Sequence, residues 1–286
     1  MRIKRIFSVI ILAAMIFSCS KETSIEGRDN TVNNPALGEN CKVNNIVAAD
    51  SLSGSGNYSL YTEFNSSGLA TRVEAFDSMS QQLHAAADLT YKGDTIFATQ
   101  NDYFITDANK RVTKFYTLID PNDPNSDTLV YNYIYNGGGY LSEKIVTIQG
   151  LLGTVVNFNY TWSNGNLVKV EGNTNVTGVN QRLLSATMTY DINQTAKNFI
   201  QVMPDNFESF FFVMAVDIGK KSTNVVSTIS MITYDENGVA DESYNTVLKN
   251  LVFSPDGYLT EWYAEGDSFD ALGLFSGRTL FQYKCD

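Results

Sequence analysis

Leu129 to Ile148 reads LVYNYIYNGGGYLSEKIVTI. Leu129, Tyr131, Tyr133 and Tyr135 alternate, which puts four large side chains on one face of an extended strand. Asn136 to Gly139 follow, residues that accept the left-handed backbone a tight turn needs. Tyr140 and Leu141 then open a second alternating run through Ile145, Val146 and Ile148. The stretch predicts a β-hairpin, and the rest of the chain is built from variants of it.

Working outward, strands are predicted at 58–64 and 69–76, at 89–91 and 95–99, and at 103–105 and 112–118. Further pairs fall at 155–162 and 167–170 and at 247–253 and 258–263. Ala186 to Tyr190 is expected to turn through 191–194, and Ile229 to Tyr234 to turn at 235–238. The shared device is an apolar or aromatic residue, then Asp, Asn or Ser, then in most copies Gly. Copies are irregularly spaced, which predicts a hairpin meander rather than a solenoid. In Val156 to Trp162 one face is aromatic and the other is Asn157, Asn159 and Thr161. A membrane barrel shows lipid an apolar band on nearly every strand. The expectation is therefore a mainly β fold: an antiparallel meander curled into a soluble barrel or half-barrel, its apolar face inward. The closing Tyr283-Lys284-Cys285-Asp286 also lacks the terminal aromatic typical of outer-membrane barrels.

One segment carries helical signals. Pro204 precedes Asp205, a candidate N-cap, with Glu208 three residues on. Phe207, Phe210, Phe211, Met214 and Ile218 follow at helical spacing, Phe212, Val213 and Val216 make the other side apolar, and Gly219 is placed to end the run. This predicts a single buried helix over about 205–218 that plugs the barrel, a peripheral dimerising helix being the other reading.

Residues 1–18 read as a secretory signal, with Arg2, Lys4 and Arg5 before the apolar run 6–17. Ile16-Phe17-Ser18-Cys19 resembles a lipobox, which makes Cys19 the lipidated first residue of the mature chain. Residues 19–40 are polar and predict a flexible tether; residues 41–286 form one β domain. The formal net charge is −11, and loss of the basic signal makes it more negative. Phosphate backbones repel such a chain, so no nucleic acid is expected as partner. Cys41 and Cys285 bracket the domain in an oxidising compartment, so they are either a disulfide or two free thiols.

The stretches LTYKGDTIFATQNDYFITDANKRVTKF, YTWSNGNLVKVEG, TYDINQTAKNF, GKKSTNVVSTIS, FSPDGYLTEW and FQYKC, in that order, resemble Bacteroidota envelope lipoproteins carrying a domain of unknown function with a porin-like fold. The resemblance covers most of 58–286. It implies one antiparallel sheet curled around a helix and brings no catalytic residues. A looser likeness, through Tyr190-Asp191 and Tyr234-Asp235, is to tyrosine–aspartate repeat shells, whose regular spacing is missing.

Motifs for chemistry are sparse. His84, the single histidine, lies in an alternating stretch expected to be strand, without HExxH or GxSxG around it. Gly219-Lys220-Lys221-Ser222 echoes a phosphate loop without its first glycine or a preceding strand, and reads as a helix stop. Asp123, Asn125 and Asp127 match the start of a calcium loop, but Thr128 and Ile134 replace its glycine and glutamate, leaving a weak calcium candidate. Glu261, Glu265, Asp267 and Asp270 offer carboxylates of the kind a glycosidase pairs; an exposed acidic face gives the same pattern. Tyr131, Tyr133, Tyr135, Phe158, Tyr160 and Trp162 line either a core or a ligand cavity.

The expectation is a lipid-anchored, non-enzymatic outer-membrane envelope protein that binds a small ligand or an envelope protein and uses no cofactor. The alternative is a lipid or lipoprotein carrier or chaperone using the curved sheet as an apolar trough; a glycosidase-like enzyme is third. A packed interior with exposed tyrosines or tryptophans at one rim would favour the first.

Overall fold

Alternation of apolar and polar residues is realised as strand along almost the whole domain. The computed structural model describes residues 40–50, 58–77, 82–120, 122–123, 125–150, 154–175, 180–205, 212–267 and 276–285. Among them are seventeen strands in one antiparallel sheet. They are β1 (Cys41–Asp50), β2 (Tyr58–Phe64), β3 (Ala70–Asp77), β4 (Leu83–Asp88), β5 (Thr90–Lys92) and β6 (Thr95–Phe97). Then come β7 (Tyr103–Thr106), β8 (Val112–Leu118), β9 (Thr128–Tyr135), β10 (Leu141–Ile148), β11 (Thr154–Ser163) and β12 (Asn166–Thr174). The last five are β13 (Gln181–Thr195), β14 (Asn224–Tyr234), β15 (Ala240–Phe253), β16 (Leu259–Gly266) and β17 (Gly277–Cys285).

Successive strands pair as neighbours, and β1 pairs with both β2 and β17, so the sheet curls into a nearly closed barrel. Closure is covalent as well: Cys41 faces Cys285 in the β1–β17 register, and the two sulfurs are 1.99 Å apart across 244 residues of chain. The disulfide is formed, and the first and last strands lie side by side. A barrel removes the exposed sheet edges that invite association.

The hairpin β9–β10 has the expected register, from Leu141 opposite Tyr135 to Ile148 opposite Leu129. Its turn shows why Asn is there. The Asn136 carboxamide oxygen accepts from the backbone of Gly138 at 2.9 Å and Tyr140 at 3.2 Å, while Gly139 donates to the Asn136 carbonyl. Asn65, Asp107 and Asp235 do the same for their own turns. The side chain thus replaces strand partners where the chain reverses. Most of these short turns, with the Cys41–Cys285 bond, gather at one end of the barrel, the turn end. The opposite, loop end carries 119–127 and 235–239.

Two expectations are corrected. First, 191–194 is not a turn, because β13 runs on through Thr195. Asn224 of β14 pairs with Thr195 and donates through its side chain to the carbonyls of Ile192 and Gln194, which keeps the strand going. Second, the buried helix over 205–218 is not supported: among the described residues there is no α-helix. Pro204 and Asp205 lie in a turn, and Phe212 to Ala215 make one isolated turn; Phe207, Glu208, Phe210 and Phe211 lie outside the described residues. The physical reason is where the backbone groups find partners. Lys197 donates to Gly257, Lys220 to Gly139 and Thr223 to Gly165, while Asp217 accepts from Val112. The Asn198 side chain donates to the Cys41 carbonyl, and Ser222 donates its backbone N–H to the Gln201 side chain. The described residues on either side of 206–211 thus find backbone partners on the surrounding wall, and the i to i−4 bond from Val216 to Phe212 closes a single turn that does not continue as helix.

The plugging position survives without the helix. Phe199, Ile200, Val202, Met203, Phe212, Val213 and Ile218 belong to the same core cluster as the inward faces of the strands, and Met214 packs against it. Phe212 meets Phe104 of β7 and Phe115 of β8 edge-on, at 5.0 and 6.3 Å between ring centres. On the far wall Phe199 meets Trp262 of β16 and Phe281 of β17, at 5.5 and 4.9 Å. Residues 196–205 and 212–223 therefore reach opposite walls of the barrel and pack into it from the turn end.

Candidate functional site

The inward faces of β9, β10 and β11 surround a buried charge. Lys144 takes the inward position between Leu141 and Val146, where alternation places a core residue. Its ammonium is 2.7 Å from the Asp205 carboxylate, the side chains being 2% and 0% exposed, and it donates to the Asp205 carbonyl at 3.1 Å. The Tyr160 hydroxyl donates to the same carboxylate oxygen. Aromatic faces complete the surroundings, with the ammonium 4.8 Å from the Phe158 ring centre and 6.0 Å from that of Tyr131. A charge so far from water is tolerated only when paired and hydrogen-bonded. Asp205, read from sequence as a helix cap, is instead the anchor of the interior stretch.

The aromatic residues singled out from sequence converge here. Tyr131, Tyr133 and Tyr160 are buried, and Tyr135, Phe158 and Trp162 are half-buried against the same cluster. Trp162 donates to the Leu141 carbonyl at 2.6 Å, and Tyr135 to the Val112 carbonyl at 2.5 Å. Burial raises the Tyr135 phenol well above its ordinary value, with Asp217 adding to the effect. Tyr190 of β13 donates to the Leu167 carbonyl and is pushed up to about 12 by burial. Next to it lies a cavity of about 20 Å³ lined by Tyr190, Phe199, Gln201 and Ser222 among others, room for a single water. Core is what these rings form.

The other candidates do not converge. His84 lies on β4 with its side chain exposed. Asp123 and Asn125 are spent on the turn itself, the Asp123 carboxylate accepting from the Asn125 backbone, and Asp127 is exposed. Among the described residues no group of three or more His, Cys, Asp or Glu is placed to hold a metal ion. Glu261 pairs with Arg278 and Glu265 with Lys249 on exposed strand faces, and Asp267 accepts from the Asn245 backbone; Asp270 lies outside the described residues. Gly219 ends no helix. It has φ +95°, and a Cβ there would lie 2.6 Å from the Tyr135 ring and 2.9 Å from the Gly139 carbonyl.

Sequence reasoning missed Lys144, whose signal was a lysine in an apolar phase of a strand. It also missed a row of rings on the outer wall. Tyr103 and Tyr116 stack at 4.6 Å with 12° between planes, and Phe97 tilts onto Tyr103 at 5.6 Å. All three are half-buried and stand on the face opposite the inward pair Phe104 and Phe115.

The sheet is a large antiparallel barrel curled to near closure. Among solved structures the chain is similar to a porin-like protein from Bacteroides uniformis ATCC 8492, with TM-score 0.52 and 11% identity, over 85% of this chain and 96% of that one. It is similar also to a porin-like protein from Bacteroides vulgatus ATCC 8482, with TM-score 0.50 and 14% identity, over 85% and 98%. At such identities the likeness is one of fold. No family model matches the chain, and no curated protein matches it in sequence.

Proposed function

We propose that this chain is a lipid-anchored protein of the bacterial cell envelope, held on the outer membrane through Cys19, that binds a ligand or partner protein on its outside and catalyses nothing. The observation that carries this reading is the filled barrel. Residues 196–205 and 212–223 pack into the space a pore or a lipid trough would need. The wall supports a water-facing barrel rather than a membrane-spanning one. Positions alternating with the core on β11, β13 and β14 include Asn157, Asn159, Thr161, Ser185, Thr187, Thr189, Thr228 and Ser230, with Ile232 an exposed apolar member, a largely polar face that hydrocarbon would not accept. The signal-like residues 1–18 and the fold shared with Bacteroides porin-like proteins support the envelope location. The Phe97, Tyr103 and Tyr116 row is apolar area open on the outside, where a partner can reach it.

Two measurements test the reading. Fatty-acid labelling of the chain expressed in a bacterial envelope should mark the unmodified protein and not Cys19→Ser. Native mass spectrometry of the protein, released gently from that envelope, should give the chain from Cys19 with its covalent acyl anchor, lighter by the two thiol hydrogens of Cys41 and Cys285, and nothing else bound. A retained lipid of defined mass would instead make the interior stretch a lid and the protein a carrier.

A further inference from the structure

The strands of a meander alternate in direction, so residues scattered along the sequence collect at its two ends, and here they sort by charge. At the turn end stand Lys42, Lys92, Lys110, Lys197, Lys220, Lys221 and Lys284, all exposed, although burial of its ammonium end lowers the pKa of Lys221. None of these seven makes an ion pair among the described residues. Their ammonium groups lie against carbonyls or rings: Lys42 on the Gly68 carbonyl, Lys284 on the Phe64 carbonyl, Lys220 over Tyr140 and Lys197 over Tyr258. Arg111 joins them beside Gly139, already paired with Asp107. The other acids near this end are Glu63, Asp88, Asp94, Glu143, Asp191, Asp217 and Asp256, Asp88 being paired with Arg72.

The loop end is the reverse. Asp77, Asp120, Asp123, Asp127, Asp235, Glu236, Asp241, Glu242, Glu265 and Asp267 lie there. The cations on that half, Arg182, Lys249 and Arg278, each pair with a carboxylate. Lys114, midway up the outer wall on β8, is an exposed lysine outside the pattern. A chain of formal net charge −11 thus keeps all but one of its unpaired lysines, among the described residues, on one face.

That face is also where the chain enters the barrel, at Cys41. We infer that the turn end is a docking surface for an anionic membrane, its lysines lying on lipid headgroups while the acidic loop end points away. The inference rests on the envelope reading for its setting but not on lipidation of Cys19. The charge separation gives the barrel one favoured orientation, because reversing it would press carboxylates onto the same headgroups. A polar tether alone leaves orientation free.

The test uses the chain from residue 19 onward carrying Cys19→Ser, so that no acyl chain contributes. Flotation with vesicles of phosphatidylglycerol and phosphatidylcholine, against phosphatidylcholine alone, should recover protein with the anionic vesicles only, and about 0.5 M salt should release it. Lys110→Glu, Lys197→Glu and Lys220→Glu together should weaken binding at least about tenfold, since each lysine near an anionic surface contributes roughly fivefold. Hydrogen exchange on bound protein should slow at 107–111 and 219–223 and stay unchanged at 235–239. No flotation, equal flotation with neutral vesicles, indifference to the charge reversals or protection at 235–239 overturns the inference. So does capture by soluble polyaspartate without vesicle binding, which would make the partner an acidic protein. Should the triple variant not fold, the salt dependence and the exchange pattern of the parent chain decide. Binding that persists in a protein whose Cys19 takes up no fatty acid would end the anchor reading and leave this one standing.

Discussion

Lys144 on β10 and Asp205 in the interior stretch form an ion pair at 2.7 Å with both side chains out of water. Tyr160 on β11 donates to the same carboxylate, so two strands hold the stretch that fills the barrel.

Removing one partner leaves the other charge buried and uncompensated. Lys144→Met should lower unfolding free energy by about 3–5 kcal/mol, and Lys144→Met with Asp205→Leu should recover part of the loss. Urea titrations of the two variants and the parent measure it; a double variant as unstable as the single one would mean the pair itself, not the orphaned charge, matters.

The Cys41–Cys285 bond closes 244 residues of chain. Reduction, or Cys41→Ser with Cys285→Ser, should cost up to about 5 kcal/mol, chiefly by freeing the unfolded chain. The check is a denaturation midpoint with and without reductant, which should move for the parent and stay put for the variant.

Gly219→Ala places a methyl against Tyr135 and the Gly139 carbonyl in a left-handed backbone. A destabilisation of about 1–3 kcal/mol is expected. Thermal unfolding reads it directly, and an unchanged midpoint would show that the 217–223 path can shift.

Buried phenols make stability fall in alkali. Burial raises Tyr135, Tyr190 and Tyr283, with Tyr190 at about 12. A raised acid favours its proton in the folded state. Its contribution is therefore complete below the unfolded value of about 10 and is lost as pH climbs from there through the folded value. Tyrosinate absorbance should show these three phenols ionising only with cooperative unfolding, and urea midpoints should decline from about pH 10 upward.

Outer ion pairs should matter little. Arg278 and Glu261 bond through two contacts, at 2.9 and 2.8 Å, but Arg278 is 45% exposed. Arg278→Ala should change stability by less than about 1 kcal/mol, in contrast with Lys144→Met in the same assay.

Much of the fold was legible because its signals are local. Leu129 to Ile148 alternates with period two and turns at Asn136 to Gly139, and both features act within a few residues of chain. The 205–218 stretch misled for the same reason. Its phenylalanine spacing and cap-like Asp205 are local helix signals, but Asp205 is drawn to Lys144 and Tyr160 on the wall and the Asp217 carbonyl accepts from Val112. Lys144 looked like a flaw in an apolar phase because Asp205 lies 61 residues away.

From the amino-acid sequence alone come most of the strands, most of the turns and the inward aromatic face. Each depends on neighbours in the chain, where backbone sterics and side-chain alternation operate. Which strands close the barrel, what fills it, where Lys144 finds its counter-charge and how the lysines collect at one end were decided by the tertiary structure. Those outcomes depend on burial and pairing between residues far apart in sequence, which take effect only once the sheet has curled around them.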